Sequence, residues 1–241
     1  MRMAFPSILG MVGMQARLRA ALLPGPCALC GGKAGPGGWC AACWQDVPGQ
    51  DEPRCPTCAL PGARQAACGR CLREPPAYVR SFAACSYAFP IDAMVAQFKY
   101  GRNLALAAPL GTLLCTRARE APRPDLLVPV PVGRVRLAQR GFNQAAELAR
   151  LVAHDLQLEM DPRAALRRDA DPPQASLPLS ERARSVRGAF RCARALHGTR
   201  VALVDDVMTS GATLNELAAT LLHAGAREVH CWVVARTPES A

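Results

Sequence analysis

The chain has 241 residues, half of them apolar, and a formal net charge of +10 at pH 7. That length allows one medium domain and a small one, and the absence of any run of eighteen apolar residues excludes a membrane-spanning helix. All but Lys33 and Lys99 of its 29 cationic residues are arginine. A guanidinium meets phosphate with a two-pronged fork, so this bias suits phosphate-bearing partners; a solvated basic surface accounts for it equally well.

The first residues, "MRMAFPSILGMVGMQARLRAALLPGP", are apolar with an early arginine. They do not read as a signal peptide: Pro6 interrupts them, Arg17 and Arg19 follow, and no clean small-x-small cleavage site appears. From about Ser7, Ile8, Met11, Val12, Ala16, Leu18 and Leu22 fall mostly on one side of a helix. Residues 1–26 are expected to form a short N-terminal helical segment, and without an export signal the chain is expected in the cytoplasm.

Residues 27–76 carry an internal repeat. Cys27, Cys30, Cys40 and Cys43 recur 28 residues later as Cys55, Cys58, Cys68 and Cys71. The unit C-x2-C-x9-C-x2-C thus occurs twice, and Asp46/Glu74 and Pro48/Pro76 keep the same offset. Two cysteines two residues apart sit on one tight turn and aim both sulfurs at one ion. A second such turn completes a tetrahedral zinc site. Few residues here are large and apolar, so metal must stabilise the fold; structural zinc contributes roughly 10–16 kcal/mol in small peptides. Disulfides would need an oxidising compartment, a redox C-x-x-C usually comes singly, and an iron–sulfur site would also use four cysteines. Two structural zinc ions fit the tandem pattern best. The repeat favours ligation within each unit, although crossed pairing is compatible with the spacing. Cys85, Cys115, Cys192 and Cys231 lack a pattern and are expected as buried free thiols.

Residues 77–241 read as an α/β domain. Tyr78–Phe89 is strand-like, Ile91–Gly101 helical, and the stretch from Leu104 helical with Pro109 near its first turns. "DLLVPVPV" is a buried strand, "NQAAELARLVAHDLQL" an amphipathic helix and "RVALVDDV" a second buried strand. "LNELAATLLHAGA" is a helix with a Leu214, Leu217, Leu221, Leu222 stripe ended by Gly225, and "EVHCWVVA" a last strand. Alternating strands and helices imply a parallel sheet covered on both faces.

The stretch from Val201 to Thr213 carries the chemistry. Asp205 and Asp206 are expected where the strand leaves the sheet, the end at which open α/β sheets bind ligands. Thr209, Ser210, Gly211, Ala212 and Thr213 lead into a helix start whose amides suit a phosphate. Two carboxylates beside a phosphate repel it unless a sugar lies between. A ribose offers two neighbouring hydroxyls as donors to the aspartates and leaves its 5′-phosphate in the loop. A Mg2+ ion on the sugar and pyrophosphate oxygens would offset the charge.

This order of strand, Asp-Asp, Thr/Ser-rich loop and helix resembles the phosphoribosyl diphosphate (PRPP) motif of type I phosphoribosyltransferases. "RGF", Arg140 to Phe142, resembles the pyrophosphate-loop segment of adenine-type members. Arg140 would then face the pyrophosphate, with Gly141 allowing close backbone approach; a solvated basic loop of Arg134, Arg136 and Arg140 is the alternative. Nearly the whole chain resembles the ComF family. The four C-x-x-C pairs, "FKYGRN" (Phe98–Asn103), "VPVP" with "RGFNQA", the Asp-Asp motif, and a segment with Gln174, Leu179, Arg182 and "RGAF" carry the resemblance. Ser185 stands where the family usually has Asn.

The resemblance implies a double zinc ribbon joined to a phosphoribosyltransferase-like domain, with residues from about Ala164 to Phe190 as a hood over the site. Asp205, Asp206 and Arg140 would be the catalytic candidates, with the acceptor open. Family members are linked to handling incoming single-stranded DNA in natural competence, so single-stranded DNA and competence-machinery proteins are implied partners. A non-catalytic DNA-binding adaptor is the alternative function.

Overall fold

The structure, a computed structural model, describes residues 25–62, 66–168 and 186–238. The expected N-terminal helix and residues 169–185 of the expected hood lie outside the described residues. The chain forms two compact units, Met1–Asp46 and Val47–Ala241.

In the first unit, the Cys27–Cys30 turn closes because Gly31 takes φ +73° and its N–H donates to the Cys27 carbonyl at 2.9 Å. Glycine adopts that conformation without penalty. The short helix α1 (Ala41–Gln45) starts directly after Cys40, whose sulfur accepts from the Cys43 N–H.

The second unit begins with the same device. Ala59, at φ +56°, stands where the first repeat has Gly31, and its N–H donates to the Cys55 carbonyl at 2.8 Å. Its methyl is buried in the main core, which offsets the left-handed strain. Helix α2 (Gly69–Arg73) follows Cys68.

Next come β1 (Arg80–Ser86), α3 (Ile91–Lys99), a 3-10 turn (Leu104–Leu106) and α4 (Ala107–Ala118). They are followed by β2 (Leu126–Pro129), α5 (Arg134–Arg140) and α6 (Gln144–Leu156). The chain closes with β3 (Ala165–Arg167), β4 (Phe190–Cys192), β5 (Arg200–Met208), α7 (Ala212–His223) and β6 (Glu228–Arg236). Four strands form one all-parallel sheet in the order β1-β6-β5-β2. Helices cover both faces, as the alternating pattern predicts. α4 packs on β1 and β6, and α6 on β5 and β2. On the other face Leu214, Leu217 and Leu221 of α7, with Phe190 and Leu196, cover Val201, Leu203, Val229 and Val233. Cys85, Cys115 and Cys231 are buried free thiols, while Cys192 is only partly buried.

Three features differ from the sequence reading. β5 does not leave the sheet at the aspartates; it stays paired with β6 through Met208 opposite Arg236. The basic segment from Arg134 to Arg140 is a helix, not a loop, built of good helix formers and stopped by Gly141 at φ +82°. β3 and β4 form an antiparallel pair that frames the ends of the expected hood. The second ribbon's chain also caps the open edge of β1: Ser81 N–H donates to Pro56 at 3.1 Å and Ser86 N–H to Pro48 at 2.8 Å.

Gly111 lets α4 approach α6. A Cβ there would lie 2.7 Å from Leu151 Cδ1 and 3.2 Å from its Cβ. Gly111→Val should therefore force the helices apart and cost about 1–3 kcal/mol in a denaturant titration. An unchanged midpoint would contradict this packing.

Candidate functional site

β2 pairs with β5 only as far as Pro129 opposite Val204. Beyond it β5 is held by β6 alone, and its free side opens on a cleft of about 590 Å³. Asp205, Asp206, Thr209 and Thr213 line one wall. Lys99 from the end of α3, Arg136 and Arg140 from α5, and Arg167 from β3 bring four cations to the same space. Tyr87, Tyr100, Asn143 and Gln144 complete much of the lining.

The structure thus brings together Asp205, Asp206, Thr209, Thr213 and Arg140 among the residues singled out from sequence. Ser210, Gly211 and Ala212 form the turn between the two threonines and are not on the cleft wall; nor is Gly141. Gly211, at φ +82°, is the N-cap of α7, and the Ser210 hydroxyl accepts from the Ala212 N–H at 3.3 Å. The first-turn amides of α7 have no carbonyl one turn back, so the turn carries the positive end of the helix.

The two aspartates differ. Asp206 is buried; one carboxylate oxygen accepts from the Val207 N–H at 2.8 Å, and the other lies 2.8 Å from Lys99 Nζ. Burial pulls the Lys99 ammonium down, but Asp206 outweighs it and holds the group above the ordinary lysine range. Asp205 is partly exposed at its surface but hemmed in by protein, and its carboxylate accepts only the Asp206 N–H among the described residues, at 2.9 Å. Burial first, then the Asp206 charge, push the Asp205 carboxyl up to about 8 against the pull of Lys99.

The "RGFN" turn is built residue by residue. Gly141 ends α5, Phe142 packs on Phe98 with ring centroids 5.4 Å apart, and Asn143 caps α6. The Asn143 amide donates to the Val130 carbonyl at 3.1 Å, tying this turn to the end of β2. Arg140 donates to Gln144 at 3.1 Å and lies 5.3 Å over the Tyr100 ring.

The cysteines divide as the repeat suggests: Cys27, Cys30, Cys40 and Cys43 in one cluster, Cys55, Cys58, Cys68 and Cys71 in the other, each set within 4.8 Å. Four sulfurs about 2.3 Å from a tetrahedral zinc sit about 3.8 Å apart. Cys30 and Cys40 are 3.8 Å apart, and Cys58 and Cys68 3.6 Å, so both clusters fit the ion. Burial pushes the Cys27 and Cys55 thiols up, but backbone N–H donors outweigh it and bring them down to about 6 and about 7. These thiols are set up to ligate as thiolates at neutral pH.

The profile of the double zinc ribbon domain matches residues 18–72, and that of the phosphoribosyl transferase domain matches residues 119–241. The chain is 34% identical over 224 residues to the DNA utilization protein YhgH of Escherichia coli (strain K12), covering 89% of this chain and 98% of that one. This chain belongs to the ComF family. Competence protein F of Haemophilus influenzae is 29% identical over 209 residues, 83% of this chain and 90% of that one. Among solved structures, a glutamine PRPP amidotransferase from B. subtilis superposes with a TM-score of 0.38 at 22% identity. That match covers 56% of this chain and 26% of the other, a likeness too loose to speak to function.

From sequence, Lys99 has only its place in "FKYGRN", Arg167 only a place at the start of the expected hood, and Arg136 only a place in a basic loop. Their convergence is a property of the fold, since α3, α5 and β3 are far apart in the chain. Lys99 alone had a local signal, as one of two lysines in an arginine-rich protein.

Elemental analysis should return two zinc ions per chain, falling to one when Cys27 and Cys30 are both serine; a metal-free native protein would contradict the clusters. A second expectation concerns Asp205. Between about pH 4 and about pH 8 the unfolded chain loses this proton while the folded chain keeps it, so the group lowers stability as pH rises through that window. Asp205→Asn should therefore raise the unfolding temperature at pH 7 and leave it nearly unchanged at pH 4. A fall at pH 7 would show the carboxylate to be stabilising instead.

Proposed function

We propose that the cleft binds PRPP, or a closely related ribose 5-phosphate ligand, together with Mg2+. The observation that carries this reading is the meeting of two unlike walls, carboxylates with threonines and a helix start on one, four cations on the other. The ribose hydroxyls donate to Asp205 and Asp206. A carboxylate has about four acceptor positions, so Asp206 retains capacity beside Lys99 and the Val207 N–H. The 5′-phosphate accepts from the amides and hydroxyls of Thr209, Ser210, Gly211, Ala212 and Thr213. The diphosphate meets Arg140, with Gly141 behind it and Lys99 and Arg136 alongside. When bound, Mg2+ offsets the charge of the diphosphate and the aspartates. Asp205, whose carboxyl is pushed up by burial and by the Asp206 charge, would give up its proton more readily beside such an ion.

In phosphoribosyl transfer the bond from the anomeric carbon to the diphosphate breaks, and the electron pair leaves with pyrophosphate. Arg140 and Lys99 are positioned to hold that charge. An acceptor nucleophile takes the anomeric carbon. The names of the relatives support a role in DNA utilisation and competence for this chain.

One observation favours a second reading, an adaptor for single-stranded DNA. Tyr100 is 74% exposed, Arg140 lies over its ring, and Arg102 reaches the Gln139 carbonyl at 2.5 Å. An exposed ring among arginines suits base stacking beside a phosphate track. Such binding should weaken steeply with added salt.

PRPP with Mg2+ should raise the unfolding temperature of the wild-type chain, a stabilisation of about 2.7 kcal/mol with ligand a hundredfold above its Kd. Asp205→Asn combined with Asp206→Asn should abolish that rise in differential scanning fluorimetry. A ligand-induced rise retained in full by the double variant would sink the assigned site.

A further inference from the structure

The second zinc ribbon and the turn after β5 are joined by one side chain. Arg236, the last residue of β6, is 2% exposed. Its Nε donates to the Cys58 carbonyl at 2.9 Å, the closing residue of the Cys55–Cys58 knuckle. Its Nη1 faces the carbonyls of Met208 at 3.0 Å, Thr237 at 2.6 Å, and Thr209. One rigid planar group therefore spans from a metal-ligating turn to the first residue of the threonine-rich turn. A lysine, with a single ammonium on a flexible stem, cannot hold both ends at once.

A second tie reaches the other side of the same turn. The Ala77 N–H donates to the side-chain oxygen of Asn215, in the first turn of α7, at 2.7 Å. Tyr78 is buried beneath Gly211, with its hydroxyl 3.1 Å from where a Cβ at 211 would sit. Both residues directly follow the ribbon. The segment Thr209–Thr213 is thus held on one flank by Arg236, whose seat includes the Cys58 carbonyl, and on the other by the two residues that follow the ribbon; the order of the Cys58 turn depends on the cluster at Cys55, Cys58, Cys68 and Cys71. The ribbon's small core is those cysteines with Leu60, so apolar burial alone cannot keep it folded.

We propose that the second zinc site is a positioning device for the turn Thr209–Thr213, acting through Arg236. Only the identity of what the turn binds rests on the function proposed above; the tie itself does not. Loss of this metal frees the Cys58 carbonyl, unseats Arg236 and loosens the turn, so metal occupancy and ligand affinity are linked. Such linkage is reciprocal.

Hydrogen–deuterium exchange on the full chain tests this without ligand. Two variants are compared with wild type: Arg236→Lys, and Cys68→Ser with Cys71→Ser. Amides from Met208 to Thr213 should exchange at least tenfold faster in both, with α6 (Gln144–Leu156) unchanged and Arg236→Lys retaining wild-type zinc content. Wild-type exchange across Met208–Thr213 in Arg236→Lys overturns the proposal, and that variant decides the matter if the serine variant unfolds throughout. Calorimetry with ribose 5-phosphate reports separately on the ligand. Binding by wild type that weakens at least fivefold in Arg236→Lys supports both the tie and the ligand. No binding by wild type removes the ligand reading, while the exchange result still decides the tie.

Discussion

The site depends on a mismatch in strand length. β5 and β6 stay in register to Met208 and Arg236, while β2 ends at Pro129 opposite Val204. Proline has no N–H to extend a ladder, and after one further bond, from Val130 N–H to the Val204 carbonyl at 2.9 Å, the chain turns away. Asp205 to Val207 are therefore held as firmly as sheet yet border open space. Val204 before the aspartates and Met208, one residue beyond Val207, are buried and act as the mount. A loop carrying the same two carboxylates would have to be ordered by its ligand at an entropic cost.

Charge within the cleft is arranged by pairing and by an excess of cations. Lys99 pairs with Asp206, and the arginines at 136, 140 and 167 outnumber the one remaining carboxyl, Asp205, so the lining is net positive. A polyanion is attracted into it, although two acidic residues stand at its base.

Much of this was legible in the sequence because it is local. The repeated cysteine spacing encodes two clusters, and the sulfurs group within each repeat as that spacing suggests; the left-handed Ala59 that closes the second knuckle carries no signal in its residue type. The order of strand, aspartates, turn and helix is likewise local, and so is the leucine stripe of α7. Illegible parts need the fold. The reach of β5 past the aspartates depends on β6 being equally long, which residues 200–208 cannot reveal by themselves. Lys99 meets Asp206 from more than a hundred residues away in the chain. Arg236 falls one residue past the apolar stretch that reads as the last strand, and its partners, the carbonyls of Cys58 and Met208, come from distant parts of the chain. The arginines of α5 were read as a loop because charge masked ordinary helix propensity.

The central claim is that one sugar phosphate is gripped jointly by the aspartates and the start of α7. A crystal structure of the zinc-loaded chain with ribose 5-phosphate and Mg2+ tests it most directly. The account predicts the phosphate within hydrogen-bond distance of the amides between Ser210 and Thr213, with ribose hydroxyls on Asp205 or Asp206. Density for the ligand elsewhere, with this turn untouched at saturating concentration, would contradict it.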